Sequence, residues 1–125
     1  MFHKISTILI WSENYKLLAD WYQDVFNLKV NEHLTHPQDT GTLFEFPDGL
    51  PYLWIGQHSE ISGTNKDSVR IMFNINVDSV KQSYEYLTSK KVACIAPPFK
   101  APTMEKLFAT FSDPDGNTFQ IIGGE

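Results

Sequence analysis

The sequence predicts an α+β fold made of two copies of one β-α-β-β-β unit. An order of strand, helix and three strands is indicated twice along the chain. A Pro-Asp-Gly turn precedes a strand in each half, and Gly116 lies 67 positions after Gly49. The first strands also match, because Met72 lies 65 positions after Thr7. The small difference between these two offsets is what a change in loop length produces. We therefore interpret the pattern as an internal duplication.

The first half contains short β-branched segments and one amphipathic helix. Residues 5–11 form a short run rich in β-branched residues, which fits a strand buried on at least one face. Ser12 to Asn14 offer capping side chains, and apolar residues then follow at three- and four-residue spacing, which predicts a helix over 14–26. Strands are predicted at 28–35, 42–46 and 52–56, with residues 47–49 as a turn between the last two.

The second half repeats this order. A strand is predicted at 69–77, a helix at 78–89, and strands at 92–96, 106–111 and 118–122. Pro97, Pro98 and Pro102 are expected to interrupt the chain after the first of these last three strands. Residues 113–117 are expected to form the final turn.

The chain length favours a single domain over residues 1–125. Repeat one is expected at about 4–57, a polar linker at about 58–68, and repeat two at about 69–123. A helix on one face of a curved sheet leaves the other face bare, and two bare faces can enclose a cleft. We therefore expect a curved mixed sheet around a cleft that binds a small molecule.

Composition excludes several classes of function. The formal net charge of −5 and the lack of a basic run argue against nucleic acid as a partner. No apolar stretch approaches the roughly 18 residues of a membrane span, so no membrane partner is expected. The single cysteine, Cys94, suits a reducing compartment, so we expect a cytoplasmic protein. Cys94 lies in an apolar run, which favours a packing role over a catalytic one.

Strand alternation divides the central strands into two faces. We expect the cleft to be lined by Thr7, Leu9, Trp11, Leu53, Ile55, Met72, Asn74, Asn76, Gln120 and Ile122. The opposite set is apolar and is expected beneath the helices: Ile8, Ile10, Tyr52, Trp54, Phe73, Ile75, Phe119 and Ile121. Apolar surface mixed with amides suits an uncharged or amphipathic organic ligand. The alternative is that Asn74 and Asn76 only satisfy backbone groups and that Trp11 belongs to the core.

Two motifs carry a family resemblance. These are Trp21-Tyr22, three residues, then Phe26-Asn27-Leu28 at the end of the predicted helix, and the run from Phe111 to Asn117 at the final hairpin. With them the whole chain resembles the vicinal oxygen chelate superfamily of glyoxalases, bleomycin resistance proteins and extradiol dioxygenases. The resemblance implies the glyoxalase/bleomycin resistance/dihydroxybiphenyl dioxygenase fold and also a homodimer. It says little about activity, because these motifs are structural.

In the catalytic members of that superfamily four strands each give one ligand to a divalent metal. The resemblance places these positions on Thr7, Leu53, Met72 and Gln120, and this set is a poor one for a hard cation. The four histidines do not converge by strand alternation. They are His3, His33, His36 and His58. We therefore predict no catalytic metal and no other cofactor.

No His-carboxylate set or carboxylate pair is aimed into the expected cleft, so no catalytic residue is assigned. Whether the protein is an enzyme is left open, with non-catalytic binding favoured. The leading hypothesis is a protein that lacks the usual metal ligands and binds a small organic molecule, either a drug or a metabolite. The alternative is a metal-dependent lyase, isomerase or dioxygenase with displaced ligands. A ligand-responsive interaction module is a third possibility.

Overall fold

The computed structural model describes residues 1–125 and shows two successive β-α-β-β-β units. The elements of the first are β1 (Thr7–Trp11), α1 (Tyr15–Phe26), β2 (Lys29–Leu34), β3 (Gly41–Phe46) and β4 (Gly49–Gly56). Those of the second are β5 (Phe73–Ser79), α2 (Val80–Ser89), β6 (Ala93–Lys100), β7 (Leu107–Ser112) and β8 (Thr118–Gly124). The predicted α+β class is confirmed, with two four-stranded mixed sheets and two helices.

The chain divides into two compact units, Met1–Gly63 and Thr64–Glu125. The sheet of the first unit has the order β1-β4-β3-β2, with β1 parallel to β4 and the other pairs antiparallel. Helix α1 packs against β4 and β3. The buried apolar side chains of this unit include Leu18, Tyr22 and Val25 of the helix and Ile10, Phe44, Leu53 and Ile55 of the sheet.

Local side chains determine where the helices begin and end. Asn14 Oδ1 accepts a hydrogen bond from the backbone N–H of Leu17, and Asn27 ends α1 in the left-handed region at φ 52°. Ser79 Oγ accepts from the N–H of Gln82 at the start of α2, 3.2 Å away. Neither helix is both long and apolar enough to cross a membrane.

The second unit repeats the topology of the first. Its sheet has the order β5-β8-β7-β6, again with a parallel first pair. Phe119 stacks between Phe73 and Phe111, with ring centroids 6.0 and 5.8 Å away. Val80 and Leu87 of α2 are buried, and α2 packs against all four strands.

The largest differences from the predicted strand boundaries are at the start of β5 and the end of β6. The first strand of the second unit begins at Phe73 rather than at residue 69, because Asp67 and Arg70 form a turn through a backbone hydrogen bond and a side-chain ion pair. Strand β6 continues through Pro97 and Pro98 instead of ending before them. It is an edge strand with register shifts at these residues, where a missing N–H is tolerated.

Candidate functional site

The pairing of β1 with β4 defines one face of the first sheet. Residues directly opposite one another on paired strands point to the same side of a sheet. Thr7 lies opposite Tyr52, and Leu9 lies opposite Trp54. With Trp11 these side chains form what we call the aromatic face: Thr7, Leu9, Trp11, Tyr52 and Trp54. Leu9 is 54% exposed, so this face is not the one that α1 covers.

Leu53 and Ile55 lie on the opposite face of the first sheet. Leu53 pairs with Ile8 and Ile55 with Ile10, and their exposures of 1% and 0% place them in the core. The prediction that Leu53 and Ile55 share a face with Thr7 is therefore wrong. Tyr52 and Trp54, expected beneath the helix, are on the aromatic face instead.

The cause of this error is the length of a hairpin. Phe44 pairs with Leu53 in the first unit, whereas Phe111 pairs with Phe119 in the second, so the first hairpin is one residue longer. Because successive side chains of a strand alternate, one additional residue reverses the face of every residue beyond the turn. Residues at the same distance after Gly49 and after Gly116 therefore lie on opposite faces of their sheets, and the predicted face is correct only in the second unit.

In the second sheet the pairing agrees with the expected alternation. Asn74 lies opposite Gln120 and Asn76 opposite Ile122. Phe73 lies opposite Phe119 on the other face, in the core. Met72 precedes β5 by one residue. Gln120 Nε2 donates to Thr110 Oγ1, so this amide already has a protein partner. A role for these five residues in binding stays a prediction.

Three rings meet at one end of the aromatic face. Trp11 contacts Trp54 edge to face, with ring centroids 6.4 Å apart, and contacts His58 in the same manner at 5.3 Å. Trp54 packs across the paired glycines Gly41 and Gly56, because a Cβ on either would collide with its indole. Trp54 is only 6% exposed, and its Nε1 has no hydrogen-bond partner.

A pocket of about 480 Å³ lies beside this ring cluster, within the first unit. It is lined by residues 11–13, 37–40, 57–59 and 61. Of the residues assigned to a site from the sequence, only Trp11 lines this pocket. The loop before β3 and the segment after β4 were missed, because their polar sequences indicate only a loop and a linker.

Backbone hydrogen bonds hold the segments around this pocket together. Ser12 N donates to Gly56 O at 2.9 Å, and Gln57 N donates to Thr40 O at 3.0 Å. Thr40 Oγ1 accepts from His36 N and donates to His36 O, which closes the loop before β3 on itself. The walls of the pocket are therefore joined by main-chain hydrogen bonds and by the Thr40 hydroxyl before any ligand binds.

The side chains at the positions to which the resemblance assigns metal ligands are not donors that a hard divalent ion prefers. Tyr52, not Leu53, occupies the place opposite Thr7, so the first unit offers two hydroxyls. The second unit offers the thioether of Met72 and the amide of Gln120. Hard cations favour carboxylates, and borderline metals also bind imidazoles. No group of three or more His, Cys, Asp or Glu side chains is placed to hold a metal ion.

Three of the four histidines take part in local hydrogen bonds. His33 Nδ1 and Thr42 Oγ1 are 3.0 Å apart across β2 and β3. The Nδ1 atoms of His36 and His58 accept from the backbone N–H of Gln38 and Glu60, each at 3.1 Å. His58 alone also contacts the aromatic face, through Trp11. The sequence could have indicated His58 by its position shortly after β4, because β4 ends opposite Trp11.

Two β-α-β-β-β units, each with a four-stranded mixed sheet and one helix, define a class of small α+β proteins. A family model described as Glyoxalase/Bleomycin resistance protein/Dioxygenase superfamily matches residues 4–121. The chain therefore belongs to the glyoxalase/bleomycin resistance protein/dioxygenase superfamily. Comparison with curated proteins gives no match.

Solved structures of this fold resemble the chain along its whole length at low identity. A superfamily member from Sphaerobacter thermophilus is 19% identical with a TM-score of 0.78, and 98% of each chain is covered. TnmS3, an antibiotic-binding protein from Streptomyces sp. CB03234, is 14% identical with a TM-score of 0.79, covering 99% of this chain and 98% of that one. A lactoylglutathione lyase from Agrobacterium tumefaciens is 16% identical with a TM-score of 0.72, covering 98% and 95%. At such identities the likeness shows the fold alone.

Proposed function

We propose that this protein binds a small organic molecule against the aromatic face of its first sheet and releases it unchanged. The observation that carries the proposal is the preformed pocket of about 480 Å³ beside Trp11. Sites for small ligands typically have roughly 300–1,000 Å³. In this pocket Trp11, Pro37 and Ile61 supply apolar surface, and the other lining residues are polar. The likeness to a structure named as an antibiotic-binding protein supports the same function.

Trp11 is the central contact in this proposal. Its indole is only partly buried, and its orientation is restrained by edge-to-face contacts with Trp54 and His58. A ring held in this way binds a flat apolar group with little further loss of side-chain freedom. Thr7 and Leu9 continue the same surface along β1.

The second unit is proposed to offer a binding surface of its own, with amide and apolar side chains on one face of its sheet. These are Met72, Asn74, Asn76, Gln120 and Ile122. Asn74 and Asn76 are exposed, so their amides are accessible to a ligand. Leu53 and Ile55 are left out of the proposed site because they are buried in the core.

Binding without conversion is favoured over metal-dependent chemistry because hydroxyl, thioether and amide groups occupy the family's metal positions. Elemental analysis of the purified protein tests this choice. We expect much less than one equivalent of Zn, Mn, Fe, Ni or Co per chain. One tightly held equivalent would instead support the lyase, isomerase or dioxygenase alternative.

Native mass spectrometry of protein purified from cells under mild conditions tests the binding itself. We expect an organic adduct at one per chain, which is lost from the Trp11→Ala variant. The matched control is Leu17→Ala, which removes an exposed apolar side chain from α1 and should retain the adduct. An adduct that survives Trp11→Ala, or one whose mass changes on incubation, would contradict the proposal.

Two further expectations accompany this function. We propose a homodimer, on the family likeness alone, and light scattering coupled to size exclusion measures its mass directly. We also propose a reducing, cytoplasmic location, supported by the single unpaired Cys94. Localisation of a tagged chain by fractionation tests this second expectation.

A further inference from the structure

The charged residues that line the pocket beside Trp11 are acidic. Glu13 and Asp39 both line it, and no Lys or Arg does. Neither carboxylate takes part in a salt bridge within the chain. Two carboxylates without an ion-pair partner beside one small pocket favour cationic ligands over anionic ones, and solvent screens part of this effect because both side chains are exposed.

His58 also lines the pocket, and a local hydrogen bond restrains its ring. Its Nδ1 accepts from the N–H of Glu60, at 3.1 Å. The pocket therefore presents two negative groups and two aromatic rings, those of His58 and Trp11.

Both carboxylates belong to segments that are held in place. Glu13 Oε2 accepts from the N–H of Gly63 at 3.2 Å, and this leaves Oε1 for a ligand. Asp39 lies in the loop that His36 and Thr40 close, and its own N–H donates to His36 O at 3.0 Å. The Glu13 carboxylate and the backbone at Asp39 are therefore positioned before binding, and a positioned group loses little freedom when the ligand arrives.

We propose that the ligand of this pocket is an organic cation, an amine or quaternary ammonium with an apolar substituent. The cationic centre contacts the indole of Trp11, and Glu13 and Asp39 balance its charge. Cations favour the faces of Trp rings, and the effect grows where water is partly excluded. This inference rests on the proposed function, because it assigns the chemical class of the molecule bound at the same site.

A matched pair of probes tests the charge directly. Para-hydroxyphenyl-trimethylammonium and para-tert-butylphenol have the same shape and differ in charge. Titration of each into the full chain, followed by NMR of the three tryptophan indole N–H signals, reports binding at Trp11. We expect the cation to shift the Trp11 signal with a dissociation constant at least about tenfold below that of the neutral probe.

Charge-neutral variants test the residues. Glu13→Gln retains an oxygen for Gly63, and Asp39→Asn changes one exposed loop side chain, so both should remain folded. Each variant should bind the cationic probe about threefold or more weakly, and its affinity for the neutral probe should stay the same. The matched control is Asp48→Asn, because Asp48 is exposed in the turn beside Gly49, at the other end of β4 from Gly56. It should change neither constant.

The outcomes separate this inference from the function on which it rests. Equal affinity for both probes at Trp11 would overturn the cation assignment and leave small-molecule binding in place. A Trp11 signal that neither probe moves would overturn both. An equal loss in the Asp48→Asn control would attribute the selectivity to the net charge of the protein and would overturn the roles of Glu13 and Asp39.

Discussion

Gln120 donates a hydrogen bond from Nε2 to Thr110 Oγ1, 2.9 Å away, between directly opposite positions of β8 and β7. Thr110 is 7% exposed, so the amide would lose a buried partner if the hydroxyl were removed. We expect Thr110→Val to lower the free energy of unfolding by about 1–2 kcal/mol. Urea unfolding followed by far-UV circular dichroism measures this, since all three tryptophans belong to the first unit.

Thr118 provides the matched control for that substitution. It is 2% exposed, and its Oγ1 has no hydrogen-bond partner. Replacing an unpaired buried hydroxyl with a methyl group removes a desolvation cost, so Thr118→Val should be neutral or stabilising by up to about 1 kcal/mol. Equal losses in the two variants would show that the hydrogen bond to Gln120 contributes nothing measurable.

Gly56 is required by the indole that covers it. A Cβ there would collide with Trp54 Nε1 and would lie 2.9 Å from Thr40 O. We expect Gly56→Ala to lower the free energy of unfolding by about 1–3 kcal/mol, because Trp54 or the loop before β3 must move. Urea unfolding together with tryptophan emission tests this prediction.

Gly124→Ala is the control for the glycine substitution. A Cβ at Gly124 would meet no heavy atom closer than 3.5 Å, which is ordinary contact. Its effect should stay within about 0.5 kcal/mol. If Gly56→Ala proved as mild as Gly124→Ala, the packing of Trp54 on the glycine pair would not be restrictive.

Asp113 organises the final hairpin. Its Oδ1 accepts from the N–H groups of Asp115 and Asn117, and its Oδ2 accepts from Asn117 Nδ2, all at 2.9 Å. It is 4% exposed, so Asp113→Ala leaves three donors without this acceptor. We expect a loss of about 2–3 kcal/mol in unfolding free energy, measured by urea denaturation. Asp48→Ala, in the exposed turn of the first unit, should cost far less; comparable losses would argue against the network.

Cys94 should react slowly although its side chain is exposed. The slight burial of the thiol raises its pKa, which lowers the fraction of reactive thiolate at neutral pH. We expect alkylation by iodoacetamide at pH 7.5 to be slower in the native protein than in urea. The difference should narrow as pH rises through the raised pKa. Intact mass spectrometry follows the reaction, and equal rates at pH 7.5 would contradict the prediction.

The order of elements was predictable because helices and strands differ in the periodicity of their apolar residues. The repeated turns also indicate the same order of elements in both halves. The face of a strand depends on register as well, and register is determined across a hairpin. In the second unit the amides of Asn74 and Asn76 alternate with Phe73 and Ile75, so the two faces differ plainly in polarity. In β4 both faces carry large apolar residues, so hydrophobicity alone does not distinguish Tyr52 from Leu53.

The pocket was harder to predict than the sheets. Its walls come from segments that are distant in sequence and polar, and backbone hydrogen bonds rather than a side-chain pattern bring them together. Trp11 was predictable because strand alternation alone places it on the aromatic face. Glu13 and Asp39 were not, since an exposed acid after a strand and another in a loop are ordinary surface residues.

The hydrogen bond from Gly63 to Glu13 joins positions 50 residues apart, and Gly63 is the last residue of the first unit. A cation bound at Glu13 would hold this carboxylate more firmly, and the amide proton of Gly63 would then exchange more slowly with deuterated solvent. The exchange rate of the Gly63 amide, at the end of the first unit, would therefore report whether the pocket is occupied.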